Sequence, residues 1–351
     1  MSNPYKGLEN FQFWRRSIST TDYHTFDPIV QPKFRLRKDE KIATAGSCFA
    51  QHIARRLSAI GFNYYVPESG EGLSDQERKE RGFGMFSARY GNIYTVRQLV
   101  QLFDEAFETR TSSELPWLRE DGRYIDPFRP NIEPQGFKDA KGVLEERSKH
   151  LKHVKDMFLN ADVFVYTLGL TEGWMSKTSG DVFPLAPGVS GGSFNDTDYA
   201  YKNFSVIEVM ADLNAFLQRL KSVNTKIKVL LTVSPVPLIA TFEKQHVLVS
   251  TTYSKSVLRV AAETASREYD WVEYFPSYEI ITGNFNLGKY YEDDLREVNS
   301  NGVSHVMRCF LRHYAEGHTQ KSVRYDVVQP INKHPVSDII CDEESIAKTA
   351  F

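Results

Sequence analysis

Apolar positions along the chain gather into four runs: IATA at 42–45, ADVFVYTLGLTEGW at 161–174, KIKVLLTVSPVP at 226–237 and WVEYFPSYEIIT at 271–282. Continuous apolar runs of this kind, bounded by glycine or proline, predict strands buried on both faces. Between them the apolar positions recur at helical spacing. The first helix is expected over 49–60, with Ile53, Leu57 and Ile60 on one face. A second carries Val96, Leu99, Val100 and Phe103, and others are expected over 139–159, 205–222, 253–268 and 301–315. A further short strand is expected at Asn63 to Val66. Buried strands alternating with helices predict a parallel sheet covered on both faces, an α/β architecture. Sites in such folds lie outside the carboxyl ends of the strands. Those ends are Gly46–Cys48, Gly169–Glu172 and Ser234–Pro237, with 290–297 after the last strand.

The remaining segments decorate this pattern. Residues 1–40 are aromatic and basic and are expected to wrap the domain as an arm. Residues 41–317 form the α/β domain, with an insertion at about 105–140 that carries Trp117, prolines and many charges. Exposed aromatics in the arm and the insertion could stack sugar rings, but covering sheet edges is the favoured reading for Trp14, Phe34, Trp117 and Phe128. The polar stretch 318–351 is expected to be a tail or a surface-hugging extension. At 351 residues the chain is long enough for one large core.

A net charge of −2 provides no global basic field, so no nucleic-acid partner is expected. No apolar run reaches the length of a membrane span, and the N-terminus lacks an apolar signal core. The cysteines Cys48, Cys309 and Cys341 are too few and too scattered for a disulfide framework or a zinc cluster. A cytoplasmic protein with reduced thiols, without a metal or a resident cofactor, is the expectation.

The most informative stretch is IATAGSCFAQHI at 42–53. A strand, a glycine, two small residues able to act as nucleophiles and then a helix make a turn that lifts a hydroxyl or thiol above the sheet. The helix adds free N–H groups and a positive dipole end, which favour a thiolate. Cys48 is one nucleophile candidate; its alternative is a buried cysteine that packs as a small hydrophobe. Ser47 is the other, and the favoured reading of Ser47 is a cap for the helix.

The motif GSCFA at 46–50 resembles the signature of the GSCFA family, placed among SGNH/GDSL-type hydrolases. YGNIYT at 90–95, FVYTLGLTEGW at 164–174, LLTVSPVP at 230–237, FPSYEI at 275–280 and YYEDDLREV at 290–298 support the resemblance. It implies a flavodoxin-like three-layer α/β/α sandwich of the SGNH-hydrolase type. In that family pattern Gly46 matches the glycine of Gly-Asp-Ser, so Cys48 takes the nucleophile position and Ser47 replaces the aspartate. Gly91 and Asn92 match the second-block oxyanion donor. Gly169-Leu170-Thr171-Glu172 stands where Gly-x-Asn-Asp would be, with Thr171 replacing the asparagine. Asp294-Leu295-Arg296-Glu297 stands where Asp-x-x-His would be, and Glu297 replaces the histidine.

The general base is therefore open. His305 lies outside the apolar set of its helix, and His246 lies in a loop at a strand end; a surface role is the alternative for both. His52 follows Cys48 by one helical turn. Glu297 would act as base if burial raised its pKa, the alternative being a solvated carboxylate or an ion pair. Asp294 would orient a histidine or simply make a turn. The PGVSGGSF stretch has no Walker lysine and reads as a flexible loop. The expected activity is hydrolysis or transfer of an ester-linked acyl group, carried by a small-molecule or carbohydrate ester such as a polysaccharide precursor. Acyl-CoA is the donor a cytoplasmic transferase would use. The alternative is a non-catalytic SGNH-fold module that binds a glycan or a protein.

Overall fold

A computed structural model describes residues 3–317 and 341–350. In chain order the elements are β1 (Ile42–Gly46), α1 (Ala50–Ala59), α2 (Asp75–Glu80), α3 (Val96–Ala106), β2 (Trp117–Leu118), β3 (Tyr124–Ile125), α4 (Ala140–Asn160), β4 (Val163–Leu168), β5 (Glu172–Ser176), β6 (Val182–Phe183) and β7 (Tyr199–Asn203). There follow α5 (Val206–Val223), β8 (Lys228–Val233), α6 (Val247–Glu268), β9 (Val272–Tyr274), α7 (Ser277–Thr282), α8 (Ser300–Tyr314) and α9 (Glu344–Ala350). The central sheet is parallel, in the order β1-β4-β8-β9. A single parallel bridge from Tyr64 to Ile42 continues it beyond β1. Counting that bridge as a strand, the order is the doubly wound one of flavodoxin-type folds.

Side-chain alternation sets the layers. Phe164, Tyr166 and Leu168 of β4 join a core built with α3, α4, α5 and α6. Val163 and Val165 join the opposite core, built with α1, α7 and α8. Successive strand residues point to opposite faces, so the runs that read as continuously apolar feed two cores at once. The result is a three-layer α/β/α sandwich.

The structure redraws three of the expected strands. The run 161–174 divides: β4 stops at Leu168, and β5 belongs to a separate antiparallel sheet of order β6-β5-β7. The run 271–282 is strand only in β9, and Pro276, which has no N–H for a ladder, precedes α7. The strand expected at 63–66 is reduced to the one bridge. Among the other segments, α6 starts at Val247, earlier than expected, with His246 as its cap. The region 109–135 contains only the small β2–β3 hairpin. In the N-terminal region, Leu36 is buried and bridges to Ala315 beside α8. No helix among the described residues is long and apolar enough to cross a membrane.

A buried ion-pair network fastens the 126–147 region to the loop before α3. Arg129 pairs with Asp126 at 2.8 Å and Glu146 at 2.5 Å, and Arg89 pairs with Glu146 at 2.7 Å. Nearby, Glu68 lies 2.7 Å from His150 Nδ1. Burial and the Arg129 charge hold His150 below its usual range. Burial opposes ionisation of Glu68, but His150, Arg129 and the Arg89 N–H outweigh it and bring its pKa down to about 2. A carboxylate depressed in the fold contributes stability above its unfolded pKa and loses it as pH falls through the folded one. Glu68→Gln is expected to cost about 2 kcal/mol at neutral pH. The gap from wild type, read from urea midpoints, should close between pH 4.5 and about 2. A gap that persists undiminished to the acid end would rule this out.

Candidate active site at the carboxyl end of the sheet

The end of β1 is clamped on both sides. Ser47 N–H donates to Thr167 C=O at 3.1 Å, and Ile93 N–H donates to Gly46 C=O at 2.8 Å. Gly46 has φ +128°, and a Cβ there would fall 2.2 Å from Thr167 O. Only glycine permits this approach, which is why the residues after it emerge where they do. Ser47 and Cys48 are both buried, at 3% exposure. The cap position of α1 is Phe49, with no side-chain cap bond. Ser47 Oγ therefore caps nothing; it is a buried hydroxyl without a hydrogen-bond partner among the described residues.

Around this turn the expected donors take different roles. Asn92 reaches in with its amide, Nδ2 donating to Asp342 Oδ2 at 3.0 Å. Gly91, at φ +68°, makes the turn that presents it. Gly169 packs against Ser47, but its N–H is spent on Tyr94 C=O at 3.2 Å. Thr171 is likewise engaged: its N–H donates to Ser254 Oγ at 3.0 Å and its hydroxyl to Asn203 Oδ1 at 2.7 Å. Glu172 accepts from Thr241 Oγ1 at 2.7 Å.

The proton-handling candidates do not converge on Cys48. His305 Nε2–H donates to Phe26 C=O at 2.6 Å and its Nδ1 lies 2.5 Å from Tyr290 Oη, so both ring nitrogens are tied to neighbours elsewhere. Burial pushes its pKa down to about 4. His246 is exposed, and its Nδ1 accepts from Leu248 N–H at 3.1 Å at the start of α6. His52 sits on α1 beside Phe49. Asp294 is an exposed turn residue whose Oδ1 accepts from the N–H groups of Arg296 and Glu297. Glu297 is exposed too, with its pKa raised by partial burial and then by the Asp294 charge.

Other residues fill the cleft. Lys255 of α6 is 1% exposed and donates through Nζ to Gly169 C=O at 2.7 Å. Burial pushes its pKa down to about 8, against the opposing charge of Glu343. Its position was readable: it lies three residues before Leu258 and seven before Ala262, on the buried stripe of α6. Arg296, between the two expected carboxylates, points inward and pairs with Glu343 at 3.0 Å.

The residues that cover Cys48 come from the far end of the chain. The stretch 318–340 lies outside the described residues, but 341–343 are not on the surface. The Cys341 thiol is hydrogen-bonded to the Cys48 thiol, and that bond, then burial, pushes its pKa far up. Asp342 accepts from Asn131 Nδ2 at 2.6 Å as well as from Asn92, and its N–H donates to Tyr94 Oη at 3.0 Å. Burial raises the pKa of both Asp342 and Glu343. Nothing in 318–351 is patterned for such docking, so no local signal pointed to it.

Chemically, the cleft joins a thiol, an unpartnered hydroxyl, a buried amine, a guanidinium and amide donors that already grip a carboxylate. Among the described residues no group of three or more His, Cys, Asp or Glu is placed to hold a metal ion. No curated protein matches the chain. A model described as the GSCFA family matches residues 41–310.

Proposed function

This chain belongs to the GSCFA family, and from that membership and the cleft we propose an SGNH-like enzyme that cleaves or transfers an ester-linked acyl group through Cys48. The observation that carries the reading is the meeting, at one strand end, of the signature thiol with a buried lysine and an amide that grips an oxygen anion. The acyl carrier is a carbohydrate ester such as a polysaccharide precursor, with acyl-CoA as donor if the reaction is transfer. The Arg296 guanidinium favours a substrate that bears negative charge near the scissile bond.

In this reading Lys255 takes the thiol proton, since an amine titrating near 8 is matched to that task. The Cys48 sulfur attacks the acyl carbonyl, and the oxyanion is held by Asn92 Nδ2 and the Arg296 guanidinium. Collapse expels the alkoxide or thiolate, which takes the proton back from Lys255 and leaves a thioester. Water or an acceptor hydroxyl then attacks that thioester, with Lys255 again relaying the proton. Cys341–Glu343 must leave before substrate enters, because they occupy the same donors.

Lys255→Met keeps the stem in its apolar surroundings and removes the amine. Acylation of Cys48 by an activated thioester, followed by intact mass, is expected to slow by about 10²-fold or more. The pH–rate limb near 8 should vanish with it. An unchanged rate and an unchanged limb would remove Lys255 from the mechanism. A second reading is favoured by the burial of Cys48 beneath Cys341–Glu343: a non-catalytic module whose cleft binds its ligand without turnover. Failure of every activated ester and thioester to acylate either Cys48 or Ser47 would favour it.

A further inference from the structure

Two of the three cysteines in the chain meet at the family signature, although 292 residues separate them in sequence. We propose that Cys48 and Cys341 are an oxidisable pair, and that their disulfide fastens the C-terminal segment over the cleft.

Three observations carry this. The two thiols are in hydrogen-bonding contact, and both pack in the core formed by α1, α7 and α8. Cys341 is presented by neighbours that are themselves anchored: Asp342 by Asn92, Asn131 and Tyr94, and Glu343 by Arg296. These bonds hold its sulfur against Cys48 before any oxidant arrives. Finally, Cys309 of α8 shares that core, but its thiol donates to Phe26 C=O at 3.7 Å, so Cys341 is the thiol that Cys48 meets.

The oxidant is a hydroperoxide. Cys48 sulfur attacks the peroxide O–O bond, forms an S–O bond and releases water, leaving a sulfenic acid. Cys341 sulfur then attacks the Cys48 sulfur; the S–S bond forms, the S–O bond breaks, and the hydroxyl leaves with the Cys341 proton as a second water. Two thiols lose two electrons and two protons, and one peroxide is reduced to two waters. A thiol reductant reverses the step by exchange. The oxidised chain keeps its donors Asn92 and Arg296 occupied by Asp342 and Glu343, so the cleft is shut. The reduced chain can release the segment.

The experiment uses the full-length, reduced protein and hydrogen peroxide, with no need for turnover, so its outcome is separate from that of the acyl-transfer reading. Wild type is expected to lose about 2 Da as a monomer and to yield a Cys48–Cys341 cross-linked peptide. Iodoacetamide labelling of Cys48 should fall more than about tenfold and return with dithiothreitol. Cys309 should remain a thiol throughout. In Cys341→Ser, Cys48 should stop at the sulfenic acid and take up dimedone. The proposal is overturned if wild type takes up dimedone as readily as Cys341→Ser, if the link forms between chains or to Cys309, or if neither cysteine reacts.

Discussion

Replacing Cys48 with alanine is expected to cut turnover of an activated acyl ester by about 10³-fold or more, the scale seen when a covalent nucleophile is removed. The physical reason is that no other thiol among the described residues stands directly after β1. The fold should survive, since the change deletes one sulfur from a core that keeps Phe49, Ile53 and Leu57 in place. The urea midpoint should move by only about 1 kcal/mol equivalent. Ser47→Ala is the companion. A loss below about tenfold there leaves the role with Cys48. A large loss in Ser47→Ala with little in Cys48→Ala would pass the role to the unpartnered hydroxyl. Full activity in both would sink the covalent mechanism.

Gly46→Ala is expected to be the most destabilising glycine-to-alanine change among the described residues. Its φ of +128° is foreign to L-residues, and the new Cβ would lie 2.2 Å from the Thr167 carbonyl oxygen, an atom of the backbone that cannot step aside. Strain of that kind, joined to a steric overlap, amounts to about 3 kcal/mol or more. Gly91→Ala isolates the strain alone, because φ is +68° and nothing lies within 4 Å of the added methyl. It should cost about 1 kcal/mol. Equal urea midpoints for the two variants would show that β1 and β4 can part without loss.

The layers of the fold were legible because their cause is local. A strand buried on both faces reads as a nearly continuous apolar run, and β1, β4 and β8 are buried throughout except at Lys228, with Thr44, Thr167 and Thr232 the polar interruptions. Boundaries failed where tertiary pairing outweighed composition. Glu172–Ser176 continues an apolar run, yet its partners are β6 and β7 in an antiparallel sheet. The strand at 271–282 stopped at Tyr274, where Pro276 ends the ladder.

The cleft shows the same division. The strand, glycine and helix around residue 46 announced Ser47 and Cys48, and the turn at Gly91 announced Asn92. The base, in contrast, stays open in the sequence. His305 is bound to Tyr290 and Phe26, His246 is exposed at the start of α6, and Asp294 and Glu297 stand in solvent. Lys255 sits on the buried stripe of α6, but Arg296 is turned inward by Glu343, 47 positions away.

Periodicity along the chain therefore dictated the parallel sheet, its helical covers and the strand end that bears the thiol, because each depends on neighbours within a few residues. What stands over that thiol was decided only by tertiary structure. Asp342 is held by an amide 250 positions away, and hydrogen bonds between segments so far apart leave no pattern in either segment to be read.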